Sequence, residues 1–183
     1  MKAILAGFLL IAFVLPLQAT IHELPLLVNF HDLSKESQKQ VSCLAENIFF
    51  EAASESTAGK VAVAFVTINR VLSGRFPNTL CGVVQQKIRG VCQFSWYCDP
   101  TKLHRRQAIK HTPLYNDILR LSIEVLTYHK VFEDMTKGAT YFHNTSTNPR
   151  WRLQRTAQIG NHVFYRHGKD RHEISTSRQL FIH

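Results

Sequence analysis

Apolar and polar positions divide the chain into a leader, a helical first half and an irregular, aromatic-rich second half. After Lys2, residues Ala3 to Leu15 are almost wholly apolar, Pro16 breaks the run, and Leu17-Gln18-Ala19 offers a small residue at a cleavage point. A positive start, an apolar run too short to span a bilayer comfortably and a small-residue end mark a secretory signal peptide. Residues 1–19 are therefore assigned to export, with an uncleaved N-terminal anchor as the alternative. Residues 20–33 mix apolar side chains with two histidines and Pro25 and read as an N-terminal arm.

Ser34 is placed to cap a helix whose apolar positions, Val41, Leu44, Ala45, Ile48 and Ala52, fall at helical spacing. Ser54 to Gly59 is a polar break. From Lys60 to Leu72, Val61 to Val66 and Ile68 leave no polar face. This predicts a buried central helix ended at Gly74, although the β-branched residues would also suit a buried strand. Pro77 marks a turn at Arg75–Asn78. Thr79 to Gln86 fits a short helix, and Lys87 to Pro100 a cysteine-held loop. Leu114, Ile118, Leu121, Val125 and Leu126 form the stripe of a third helix over 114–130. Gly138 to His143 and His162 to Arg166 read as short strands, separated by an irregular stretch with Pro149 and Trp151. The predicted fold class is mainly α (α+β), with a small β-hairpin element. Residues 34–168 form the body and 169–183 a polar C-terminal tail that frays.

Composition narrows the class. With 45% apolar and 19% charged residues in 183, the chain is globular rather than disordered and long enough for one domain with its own core. Export makes the four cysteines meaningful: an even number in an oxidising compartment predicts two disulfides, in one of three pairings. Cys92 and Cys98 lie close together around an aromatic segment and are expected to pair, leaving Cys43 with Cys81. A zinc site would want paired C-x2-C spacing, which is missing. The net charge of +9 draws an exported protein to anionic surfaces. Cell-wall polymers, lipid headgroups and nucleic acid fit that charge equally well.

Three clusters can carry chemistry. Glu51 sits beside the apolar stripe of the first helix and follows Phe49 and Phe50. A carboxyl at the border of an apolar face is partly desolvated, which raises its pKa and lets it act as a general acid near neutral pH. Glu55, one turn on, is expected on the same side, where like-charge repulsion would help keep Glu51 protonated; it can equally accept backbone hydrogen bonds in the turn. Gln93-Phe94-Ser95-Trp96-Tyr97 places amide, hydroxyl and aromatic groups together, as sugar binding requires, while Phe94 and Trp96 would also serve as core. The third cluster is Tyr141, His143 and Asn144, then Trp151, then Asn161, His162, Phe164 and Tyr165. His143 and His162 can meet across a hairpin, but a third metal ligand is lacking. Ser95 has no G-x-S-x-G elbow to suggest acyl transfer.

These segments, in order, resemble the SleB-like cell-wall hydrolase family. The resemblance is carried by Cys43-Leu-Ala-Glu-Asn-Ile-Phe-Phe-Glu51-Ala-Ala-Ser-Glu55, Gly59-Lys-Val-Ala-Val-Ala, Asn69-Arg70-Val71, Phe76-Pro77-Asn78-Thr79 and Cys81-Gly-Val-Val. It continues through Cys92-Gln-Phe-Ser95-Trp-Tyr-Cys98-Asp99, Gly138-Ala-Thr-Tyr-Phe-His143-Asn144, Pro149-Arg-Trp151 and Ile159-Gly-Asn-His162-Val-Phe-Tyr165. It implies a lysozyme-like helical domain and a peptidoglycan hydrolase cleaving the MurNAc–GlcNAc bond as a lytic transglycosylase. Glu51 falls on the family's catalytic glutamate. Glu55, Gln93, Ser95, Trp96, Tyr141, Asn144, Asn161 and His162 are the expected substrate-binding residues. One departure is visible: members commonly carry E-A-R-G-E, where this chain has Glu51-Ala-Ala-Ser-Glu55.

The implied partner is the peptidoglycan glycan strand, with an anionic membrane or wall surface also suiting the charge, and nucleic acid is not expected. No metal or other cofactor is expected, and the chain is expected to be a monomer in the periplasm or outside the cell. The rival readings are a lysozyme-type hydrolase, an N-acetylmuramoyl-L-alanine amidase and a non-catalytic wall-binding module.

Overall fold

The computed structural model describes residues 28–168. The expected signal peptide (1–19) and polar tail (169–183) lie outside the described residues, as does most of the arm. Residues 28–33, assigned to that arm from sequence, are packed: a 3-10 turn spans Phe30–Asp32, Leu33 is buried, and Val28 and Phe30 lie against the core.

Helix α1 (Lys35–Ala52) starts where Ser34 accepts a hydrogen bond from the Ser37 amide, one of the donors a helix start leaves unpaired. Val41, Leu44, Ala45, Ile48 and Ala52 then recur on one face and are essentially fully buried. Helix α2 (Thr57–Ser73) is the central apolar helix; it is helix, not strand, and begins three residues before the expected Lys60 because Ser56 caps it through the Gly59 amide. It stops at Gly74, whose φ of 73° is the left-handed value glycine adopts without penalty. Helix α3 (Leu80–Val84) is capped by Thr79. The 87–100 segment is more ordered than the predicted loop. Strands β1 (Lys87–Ile88) and β2 (Val91–Cys92) pair, and a one-turn helix α4 (Ser95–Cys98) follows.

Helix α5 (Pro100–Ala108) was not anticipated. It has no buried residue, so it carries no apolar periodicity to read. Its anchor is electrostatic: buried Glu46 of α1 meets Arg106 at 2.8 Å and Lys110 at 3.1 Å. Helix α6 (Pro113–Tyr128) matches the third predicted helix, with Thr112 as cap and Pro113 in its first turn. Helix α1 is the hub: α2, α3 and α6 all pack on it.

The predicted hairpin is one half of a three-stranded antiparallel sheet ordered β3 (Tyr141–Asn144), β5 (His162–Arg166), β4 (Gln154–Ile159). Strand β4 lay in the stretch taken as irregular. Gln154-Arg155-Thr156-Ala157-Gln158-Ile159 lacks a clean alternation, and a register shift between Arg155 and Ala157 explains why. The sheet packs on α2 through Phe164, Ala62 and Val66.

Both expected disulfide pairings are present: Cys43–Cys81 joins α1 to α3, and Cys92–Cys98 ties β2 to α4. Closing the longer loop constrains the unfolded chain more, about 4 kcal/mol against about 2 for the short one. Among the described residues, no helix is long and apolar enough to cross a membrane.

Candidate active site

The last turn of α1, the C-terminal half of α2, the β2–α4 loop and the β3/β5 edge of the sheet enclose a cavity of about 320 Å³. Glu51 and Arg70 come from the helices; Gln93, Phe94 and Ser95 from the loop; Phe142, His143, Asn144 and His162 from the sheet. Helix α2 holds the sheet in place. Asn69 Nδ2 donates to the Ala139 carbonyl at 3.1 Å and to Asp134 Oδ2 at 2.9 Å, and Arg70 Nε donates to the Thr140 carbonyl at 2.8 Å. Asp134 also accepts from the Thr136 and Gly138 amides, each at 2.8 Å, so the entry into β3 is stapled. On the other side, Asn47 bridges Thr67 of α2 and the Trp96 indole N–H, both at 3.1 Å, which sets α4 and Ser95 against the helices.

Glu51 is half-buried, and its carboxyl is raised from 4.5 to about 7. Burial is the dominant cause, because loss of water penalises the charged form; the Arg70 guanidinium pulls the other way and loses. Arg70 is itself buried, which lowers its pKa to about 10, still well above neutrality. Its charge rests on the Phe94 ring (4.8 Å to the centroid) and the Phe76 ring (5.2 Å), and its Nη1 has no hydrogen-bond partner. His162 is buried, with its pKa lowered first by desolvation, and its Nδ1 is unpartnered. The cavity therefore joins a carboxyl that titrates near neutrality, a fixed cation, a neutral imidazole and the polar side chains of Gln93, Ser95 and Asn144.

Of the residues expected from sequence, Glu51, Gln93, Ser95, Asn144 and His162 come together. Four do not line the cavity. Glu55 lies beyond the end of α1, where its carboxylate accepts from the Asn161 amide (3.2 Å) and Asn161 Nδ2 (3.0 Å) in the β4–β5 turn. Those bonds lower its pKa, and Glu55 is not among the causes of the Glu51 shift, so the expected repulsion between the two carboxyls is replaced by desolvation. The alternative role, accepting backbone bonds in its own turn, falls to Ser56 instead, and the bonds Glu55 accepts come from the distant β4–β5 turn. Asn161 is spent on Glu55. Trp96 is core: it is buried, stacked on Phe50 at 4.5 Å, and its N–H is used by Asn47. Tyr141 projects to the opposite face of the sheet, with its hydroxyl 3.3 Å from His167 Nε2.

His143 and His162 are not directly opposed in register, since His143 stands opposite Val163 and His162 opposite Asn144, but both line the cavity, and His143 is among the groups that lower the His162 pKa. Among the described residues, no group of three or more His, Cys, Asp or Glu side chains is placed to hold a metal ion. Arg70 was missed as a site residue. Its sequence signal was a cation beyond the first turn of the most apolar helix, a position tolerated only when the charge has a task or a partner.

The cell wall hydrolase family signature matches residues 54–165. The chain belongs to the cell wall hydrolase family. Glu51 lies three residues before the matched segment. A spore cortex-lytic enzyme of Halalkalibacterium halodurans is 28% identical over 133 residues, covering 70% of this chain and 35% of that protein. One from Bacillus cereus is 26% identical, with 70% and 44% covered. The chain thus spans less than half the length of these curated relatives. Two solved structures share its mainly helical, lysozyme-like fold. The catalytic domain of the Bacillus cereus SleB protein has 25% identity and a TM-score of 0.51, covering 70% of this chain and 91% of that one. The catalytic domain of the germination-specific lytic transglycosylase SleB from Bacillus anthracis has 30% identity and a TM-score of 0.52, with 70% and 95% covered. The fold and family expected from the sequence are the ones found.

Proposed function

We propose that this cell wall hydrolase cleaves the MurNAc–GlcNAc bond of peptidoglycan as a lytic transglycosylase, outside the cytoplasm, with Glu51 serving first as acid and then as base. The observation that carries this reading is a carboxyl held near 7 by burial in a cavity that also presents a buried cation. At neutral pH a substantial fraction of Glu51 carries its proton. It gives that proton to the glycosidic oxygen, the bond from that oxygen to C1 of the muramoyl sugar breaks, and the N-acetylglucosamine side leaves as an alcohol. The Glu51 carboxylate so formed is stabilised by Arg70. It then takes the proton of the muramoyl C6 hydroxyl as that oxygen bonds to C1. The anhydro ring closes, Glu51 is protonated again and no water is consumed.

One carboxyl suffices for this route, and among the described residues the cavity lining holds one. Glycosidases that add water generally use two. Gln93, Ser95, Asn144 and neutral His162 are assigned to hydrogen-bonding the sugar, and the relatives' roles as cortex-lytic enzymes and a lytic transglycosylase agree with the substrate class. Mass spectrometry of digested sacculi tests the reading. The products should be anhydro-muropeptides, one water lighter than those of a hydrolase, and Glu51→Gln should lower their release by about 10²–10⁴-fold. Wild-type rates in that variant, or free stem peptides from an amidase cut, overturn the proposal.

A further inference from the structure

Next to the cavity, and meeting its rim at His143, the sheet carries a second set of aromatic rings. In the register of β3 and β5, Tyr141 stands opposite Tyr165 and His143 opposite Val163, so these side chains share one face. The segment between β3 and β4 returns across that face and lays Trp151 on it. Its ring lies 6.1 Å from Tyr141, 5.5 Å from His143 and 5.6 Å from Tyr165, at interplanar angles of 61° to 85°. Three near-perpendicular neighbours fix the orientation of the indole, yet 41% of the residue remains in water. An aromatic side chain that is already ordered but not covered loses little entropy when a ligand covers it.

Charge says what kind of ligand. From Met135 to Gly168 the chain has no Asp or Glu, but it has Lys137, Arg150, Arg152, Arg155 and Arg166. Arg150 and Arg152 flank Trp151 and are exposed, and Arg155 stands opposite Tyr165 on the same face. A rigid ring for the C–H face of a pyranose beside cations without local acids matches a saccharide that bears carboxylates. The face is also continuous with the catalytic cavity, because the Tyr141 ring lies 5.8 Å from the Arg70 guanidinium.

We propose that Trp151, with Arg150 and Arg152, forms a second glycan-binding subsite that grips a peptide-bearing stretch of the strand through its sugar ring and stem carboxylates. This rests on the substrate class proposed above. The test uses the full chain carrying Glu51→Gln, so that binding is read without turnover. The chain has two tryptophans, and Trp96 is buried with its N–H occupied, so a change of emission on adding ligand reports Trp151.

Soluble peptide-bearing glycan strands should shift that emission, and neutral chito-oligosaccharide should bind about tenfold more weakly. Arg150→Gln with Arg152→Gln should lose that preference while keeping the neutral-sugar signal. Trp151→Ala, checked for an unchanged melting temperature, should lower retention on insoluble sacculi about tenfold, and Trp151→Phe should restore most of it. Unchanged retention in Trp151→Ala overturns the subsite, as does Trp151-dependent binding that favours anionic lipid vesicles or DNA over the strands. Trp151-dependent strand binding by a protein whose Glu51 form yields no anhydro product would sustain the subsite and sink the mechanism alone.

Discussion

The last turn of α1 and the tight turn between β4 and β5 each receive a glutamate, four positions apart in the chain, and treat the carboxyl in opposite ways. Glu51 is enclosed by Phe94, Phe142 and the helices and has no donor strong enough to repay its lost water, so its pKa rises to about 7. Glu55 reaches out to a turn whose backbone amide and asparagine side chain both point at it, so its pKa falls. Separation in sequence is nearly irrelevant to this difference. What matters is whether each carboxylate oxygen exchanges its water for hydrogen-bond donors or for apolar walls.

The largest expected contrast is in turnover. Glu51→Gln should cost about 10²–10⁴-fold, whereas Glu55→Gln should cost less than about tenfold, because Glu55 holds a turn rather than the reacting bond. Wild-type turnover also carries a pH signature: the acid form of Glu51 is lost as pH rises through about 7, so the rate should fall across that range. A flat profile between pH 6 and pH 8 would break the contrast.

Stability gives the next largest effect. The folded pKa of Glu51 lies above its ordinary 4.5, so the native state binds the proton more tightly than the unfolded chain. Its ionisation therefore costs stability as pH rises from about 4.5 to about 7, and the cost is complete above that window. Glu51→Gln removes it. Denaturant titrations should show the variant up to about 3 kcal/mol more stable than wild type at pH 8, with no such gain at pH 4.

The opposite turn should respond more weakly. At Gly160, φ is 55°, and an added Cβ would collide with Glu55 Oε2. Gly160→Ala is expected to cost about 2 kcal/mol, through the left-handed backbone and the displaced carboxylate. Glu55→Gln should cost about 1 kcal/mol at pH 7, the low end for a charged hydrogen bond because solvent screens it. That contribution is present above Glu55's unfolded pKa and is lost as pH falls through its lower folded value, so the variant and wild type should converge in acid. The two substitutions act on one contact, so the double variant should lose less than their sum; strict additivity would show that Glu55 and Gly160 are energetically separate.

Helices α1 and α6 were legible because each keeps an apolar face at helical spacing, and capping residues Ser34 and Thr112 fall where the periodicity begins; α2, apolar all round, was read from its length and the break before it. Helix α5 and strand β4 were not. The first is held by an ion pair to Glu46 and the second by backbone pairing through a register shift, and neither bond leaves a pattern of apolar residues. Among site residues, the partners of Glu51 were half legible. Gln93, Ser95, Asn144 and His162 stood out as sugar-binding types, but Trp96 has the same chemistry and is spent on the core.

The sequence by itself determined the main helices and the candidate acid, because local periodicity and residue type suffice for these, and its ordered motifs carried the resemblance to the family; the pairing of the four cysteines was an expectation that the structure bears out. Tertiary structure alone decided which polar groups share the cavity with Glu51. It brought Arg70 to it, sent Glu55 to Asn161, and placed Phe142 in the cavity, Phe164 in the core against α2, and Tyr141 and Tyr165 on the other face of the sheet. The physical reason is that desolvation and charge pairing depend on the distance between segments that lie far apart along the chain. That distance is set by how α1, α2 and the sheet pack.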